Sequence, residues 1–153
     1  MKIIIGKIDK ADFPDLHLFN IDLKVDTGAY TSSIHCHQIE ECQTGAEGYL
    51  KFRLLDPSHP DYNEKEFVVK NYKKKKIKNS FGKSENRFVI QTNIILFNKE
   101  FSIELSLSER SEMKYPILIG RKLLNKNFIV DTSKRNISFK LKQKNSSDSE
   151  CIQ

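Results

Sequence analysis

The chain has 153 residues, of which 38% are hydrophobic and 30% charged, enough for one domain with a buried core and too apolar for a disordered chain. Twenty-six basic against twenty acidic side chains leave a formal charge of +6, and no apolar run approaches the length of a signal-peptide core or a membrane span. Three cysteines, Cys36, Cys42 and Cys151, follow no disulfide framework, so the chain reads as a soluble, cytoplasmic protein with reduced thiols and no membrane association.

In chain order, the alternating apolar residues that end in "LKV" predict a strand running into Asp26-Thr27-Gly28-Ala29. "TSSIHCHQIEEC" after it is a helical candidate, with Thr31 or Ser32 as cap, and "HPDYNEKE" reads as a surface loop. "FVVKNY", "RFVIQTNIILF", "FSIELSL" and "NISFKL" each alternate with period two and predict strands. Asn79, Ser80 and Gly82 mark one hairpin connection, and Asn98-Lys99 the tip of another. A short helix is expected in "GRKLLNKNF", where Leu123 and Leu124 turn to one side. "FIVDTSKRNISFKL" reads as strand, turn and closing strand, and residues 142–153 as a polar, mobile tail after a domain spanning 1–141.

Lys70, Lys73, Lys74, Lys75, Lys76, Lys78 and Lys83 fall in one stretch without an acid. Such a run is most often a solvated hairpin, and without a reading helix or aromatic platform it does not predict nucleic-acid recognition. An RNA-associated protein would reveal itself by a steep salt dependence of binding.

An Asp-Thr-Gly after a strand is by itself most often a capped turn. Some ninety residues later, however, Ile117-Leu118-Ile119 lead into Gly120 and the short helix, and Val130-Asp131 follow. Together these segments resemble the retropepsin-like aspartic proteases. The match is closest to a bacterial branch labelled ATP-dependent zinc protease and associated with ATP-grasp glutamate ligases. Lys24, Thr31-Ser32, Ile34-His35, Arg87 and the run from Arg110 to Arg121 fit that branch, and the resemblance covers residues 3 to 141.

The resemblance implies a mainly β, retropepsin-like barrel with one short helix near the C-terminus, and an aspartic endopeptidase with Asp26, Thr27 and Gly28 at its centre. In such an enzyme one carboxylate is ionised and activates water while its neighbour is protonated, since two that close cannot both ionise. Thr27 is expected to brace the loop through its hydroxyl, Gly28 to donate its N–H to a carboxylate, and Ala29 to complete the turn. Gly120 is expected to let the apolar segment cross behind it. A single Asp-Thr-Gly leaves the second carboxylate to a homodimer partner or to Asp131, whose alternative role is to form a turn. Arg121 either points to the site or forms a structural ion pair.

His35, Arg87 and Arg110 are candidates for substrate binding, although a histidine in the position of His35 is more often a packing or hydrogen-bonded one. The substrate is expected to be a protein or peptide, an acidic one in keeping with the basic charge, such as a protein tail or glutamate chain. No cofactor is expected. His35-Cys36-His37 and Cys42 lack the spacing of a zinc site, and there is no phosphate-binding Gly-rich loop, so any ATP belongs to a partner ligase. The rival reading is a non-catalytic module that keeps the scaffold for dimerisation or docking.

Overall fold

A computed structural model of the chain describes residues 1–78, 81–109 and 114–151. Eleven strands and two α-helices follow in order among them: β1 (Ile3–Ile5), β2 (Ile8–Phe13), β3 (Leu18–Val25), β4 (Ser32–Thr44), β5 (Glu47–Leu54), β6 (Glu66–Val69), β7 (Tyr72–Lys78), β8 (Ser84–Leu96), β9 (Lys99–Ser108), β10 (Ile117–Ile119), α1 (Arg121–Asn127), β11 (Phe128–Val130) and α2 (Ile137–Cys151). None of the described helices is long and apolar enough to cross a membrane.

Six of the strands close on themselves in the order β10-β3-β2-β8-β9-β4, because β10 pairs with β3 on one side and with β4 on the other. The alternation that predicts the strands also fills the ring: Phe13, Ile21, Leu23, Ile34, Ile94, Leu96, Leu105 and Ile117 are all fully buried in one cluster. Each such side chain contributes roughly 1.5–3 kcal/mol relative to exposure, which is why a slip of register by one residue is excluded.

β4 outlives the ring. It runs parallel to β9 as far as His35, then shifts register between His37 and Glu40, with Gln38 at φ 54°, and continues as a hairpin with β5. A bulge of this kind bends and re-aims a strand. The helical candidate over 31–42 is therefore a strand from Ser32 on, because alternate residues, Ile34 and Cys36, are claimed by the core. β7 and β8 form the expected lysine-rich hairpin, with Gly82 at φ 85° in the turn; Asn79 and Ser80 lie outside the described residues. At the β8–β9 turn the tip is Phe97-Asn98, both at positive φ, and not Asn98-Lys99, since Lys99 already pairs with Leu96.

The C-terminal segment departs from the alternation in "NISFKL". β11 pairs in parallel with β1 (Ile3↔Phe128, Ile5↔Val130), and the chain then forms α2 in place of a closing strand. Asn136, at φ 58°, breaks the extended path. The carboxylate of Asp9, 1% exposed, then accepts hydrogen bonds from Ser138 N (2.9 Å) and Phe139 N (3.1 Å). A side chain from β2 thus satisfies the free N–H groups at the start of α2, a role the helix's own sequence does not supply. The Ser138 hydroxyl accepts from Phe97 N (2.8 Å), and Lys142 Nζ reaches Asp12 (2.7 Å), so α2 continues through the expected domain end at 141.

Candidate active site

The Asp26 loop is built by the two strands that flank it and the one that lies between them. β3 delivers Asp26 and β4 leaves at Ser32, while β10 pairs in parallel with β3 (Ile117↔Leu23, Ile119↔Val25) and antiparallel to β4 (Ile117↔Ile34). Asp26 N donates to Ile119 O at 2.8 Å, which extends the β3–β10 pairing to the carboxylate-bearing residue itself. Within the loop, Gly28 N donates to Asp26 Oδ1 at 3.0 Å and Ala29 N to Asp26 O at 3.3 Å.

The apolar segment presses on the loop from behind. A Cβ on Gly120 would lie 2.5 Å from Tyr30 O, so only glycine fits there. The three N–H groups that open α1 have no partner inside a helix. Here Gly120 N donates to Ser32 Oγ (2.9 Å), Arg121 N to Ala29 O (2.9 Å) and Lys122 N to Tyr30 O (2.9 Å). Arg121 also turns its side chain toward the loop: Nη1 donates to Thr27 O at 2.8 Å, and the guanidinium stands 5.9 Å from the centre of the half-exposed Tyr30 ring. Thr27 is exposed, and its bracing contact runs through its carbonyl; its hydroxyl makes no hydrogen bond among the described residues.

Asp131 does what a turn-forming aspartate does. Its Oδ1 accepts from Ser133 N (3.0 Å) and Ser133 Oγ (2.6 Å), which holds the carboxyl below the usual carboxylate range, and its N–H is bonded to Ile5 O (2.9 Å). His35 is buried, and its ring contacts lie outside the Asp26 loop. Its Nε2 faces Asp56 Oδ2 at 2.6 Å and its Nδ1 faces Ser108 O at 3.2 Å. Both neighbours offer acceptor oxygens to the ring nitrogens, and which one receives the ring N–H depends on the tautomer. Cys36 donates its thiol to Ile34 O, and burial pushes that thiol well above the usual range. No group of three or more metal-ligating side chains converges among the described residues.

Arg87 forks onto Glu85 and borders a cavity of about 410 Å³ with Ile39, Phe88, Leu107 and Glu109, lined from β4, β8 and the end of β9. Arg110 lies outside the described residues. Three acids that sequence reasoning passed over prove structural: Asp9, Asp56 and Glu104. Glu104 is buried on β9 and receives Lys75 Nζ (2.8 Å) from β7 and Lys122 Nζ (3.0 Å) from α1. Burial alone would raise its carboxyl, but the two ammonium groups outweigh that and hold it low. Its only sequence signal is position: Ser102, Glu104, Ser106 and Ser108 share one face of β9.

Comparison with known proteins places the chain in a family. The RimB-like family, described as retropepsin-like aspartic endopeptidase RimB, matches residues 4–141. A probable alpha-L-glutamate ligase of Desulfotalea psychrophila is 39% identical over 134 residues, covering 85% of this chain and 28% of that protein. Another from Shewanella halifaxensis is 35% identical over 148 residues, covering 94% and 31%. The chain therefore spans less than a third of the length of these curated relatives. Among solved structures, a Legionella pneumophila protein of unknown function superposes with a TM-score of 0.70 at 28% identity, over 90% of this chain and 99% of that one.

Proposed function

The chain belongs to the RimB-like family of retropepsin-like aspartic endopeptidases, and from that premise we propose that it is an aspartic-type peptidase in which Asp26 is the catalytic carboxylate. The observation that carries the reading is the double tie on Asp26, its backbone fixed by Ile119 O and its carboxylate by Gly28 N–H. A carboxylate held in this way on a loop that β10 and α1 brace from behind is positioned before substrate arrives. The reaction needs a second carboxylate. Asp131 is occupied with its own turn, so the reading takes the second from Asp26 of another copy in a two-fold dimer, the shared proton making one an acid and the other a base. The ionised member draws a proton from water, the water attacks the peptide carbonyl, and the protonated member polarises the carbonyl oxygen.

The substrate in this reading is an acidic peptide, such as a glutamate-rich protein tail. It is supported by the net charge of +6 and by the relatives named as probable glutamate ligases. ATP chemistry then belongs to a partner ligase. The names and lengths of those relatives also favour a second reading, a non-catalytic module that serves a ligase. Asp26→Asn separates the two: the peptidase reading expects hydrolysis of a glutamate-rich peptide to fall by about 10²–10⁴-fold with the fold unchanged. Turnover equal to that of the unaltered chain refutes it. Sedimentation across a concentration series, run beside the assay, tests the dimer, which full specific activity in a monomeric sample excludes.

A further inference from the structure

The lysines of β7 are sorted into two kinds. Lys74 Nζ is paired with Glu41 (2.8 Å) and Lys75 Nζ with Glu104 (2.8 Å). Lys73, Lys76 and Lys78 are exposed and make no ion pair or hydrogen bond among the described residues. Tyr72, whose hydroxyl donates to Glu41 (2.6 Å), fixes the start of the strand. Among the described residues β7 pairs only with β8, so its other edge presents unpaired backbone N–H and C=O groups, a template for another strand.

Charge and spacing say what fits that edge. Lys74, Lys76 and Lys78 share one face at intervals of two residues, about 6.6 Å, while Lys73 lies on the other face. An extended peptide carries alternate side chains at that same interval. We propose that the free edge of β7 is a docking strand for an extended acidic peptide, which adds to the sheet and sets alternate carboxylates opposite Lys76 and Lys78 on one face and another opposite Lys73. Backbone pairing supplies the affinity and the lysines the selection, as in other strand-addition sites. A nucleic acid could meet the charges but has no backbone to pair with the edge. The inference rests on the acidic-substrate reading for the role of that peptide, as the chain then presented to Asp26. The competing explanation is that lysines on an edge strand merely prevent edge-to-edge aggregation.

The test uses the full-length Asp26→Asn variant, which the peptidase reading leaves unable to cut. It is titrated at low salt with a deca-glutamate peptide, with its all-glutamine counterpart, with deca-glutamate N-methylated at alternate residues, and with a single-stranded oligonucleotide, while amide exchange is followed along β7. Expected are binding of deca-glutamate alone, slowed exchange on residues 72–78, and weakening as salt rises. Lys76→Gln with Lys78→Gln should weaken binding about 2- to 30-fold, the worth of two cross-strand charge pairs, and Lys126→Gln on α1 should leave it unchanged. Equal binding of glutamine or N-methylated peptide overturns the proposal, as do tighter binding of the oligonucleotide, no binding, unaltered β7 exchange, or indifference to the lysine changes. Hydrolysis by the unaltered chain is read separately. Cleavage without β7 protection sinks the docking strand alone, and β7 protection without cleavage sinks the peptidase reading alone.

Discussion

Alanine at position 120 would place its Cβ 2.5 Å from Tyr30 O, 2.8 Å from Tyr30 C and 2.9 Å from Thr31 C. All three are backbone atoms, so no rotamer relieves the clash; either β10 withdraws from between β3 and β4 or the Asp26 loop moves. Overpacking of this kind costs about 1–3 kcal/mol. The displacement also strains the bonds from the N–H groups of residues 120, 121 and 122 to Ser32, Ala29 and Tyr30, each worth about 1 kcal/mol. The backbone here, φ −94° and ψ 177°, is ordinary for alanine, and restricting the unfolded chain returns about 0.4–1 kcal/mol. The expected loss is about 2–4 kcal/mol, read by urea unfolding as a midpoint lowered by roughly 1–2 M at unchanged slope. Gly45→Ala is the control: open space surrounds it, but at φ 67° it should lose about 1 kcal/mol from the dihedral alone. A Gly120→Ala variant within about 0.5 kcal/mol of the unaltered chain would refute the view that a steric seat at this glycine positions the Asp26 loop.

Asp9→Ala strips acceptors from Lys10 N, Ser138 N and Phe139 N, so about 2–4 kcal/mol should be lost, with a weakened helical signal in far-ultraviolet dichroism. A His35→Gln and Asp56→Asn double-mutant cycle should return a coupling of about 0.5–3 kcal/mol, and a value near zero would deny the partly buried pair any role. Asp56 is held below the usual carboxylate range, chiefly by the Ser58 hydroxyl and further by His35. Its contribution is therefore complete above the unfolded value near 3.8 and lost as pH falls through the lower folded one, so Asp56→Asn should lose less stability than the unaltered chain on acidification below about pH 4. For Asp9 the sign is opposite: burial raises its carboxyl against its three N–H bonds, and that group alone adds stability as pH falls through the raised value toward 3.8. Glu104→Gln leaves Lys75 and Lys122 without their shared counter-charge and should speed amide exchange in β7.

What could be read from the chain were the features whose causes are local. The Asp26 loop and α1 are contiguous patterns, and the turn and the Leu123 and Leu124 face follow from residues within a few positions of one another. The Gly120 crossing, whose partner Ser32 lies 88 positions away, was reached only through the family resemblance. The strand expected in "NISFKL" became helix because the deciding group, Asp9, lies about 130 positions away. The β8–β9 tip moved by one residue because Phe97, which composition would keep out of a turn, takes positive φ and packs its ring 6.0 Å from that of Phe128. His35 was recognisable as a core histidine, but nothing marked Asp56, in a loop after β5, as its partner. Likewise the lysine stretch was legible as charge, and only the pairing of β7 separates its neutralised members from its free ones.

The ring that β10 closes also sets a timetable for synthesis. β3 and β4 are complete by residue 44, yet the strand that joins them is not made until residues 117–119. At about 5–20 residues per second, a ribosome takes roughly 4–15 s to cover that interval. During it two apolar strands stand with open edges and no barrel to enter, and pairings of such long range are slow to form once they can. The nascent chain is thus most vulnerable to misassociation before residues 117–119 emerge, and factors that shield exposed strands should matter more for its yield than for the stability of the finished fold.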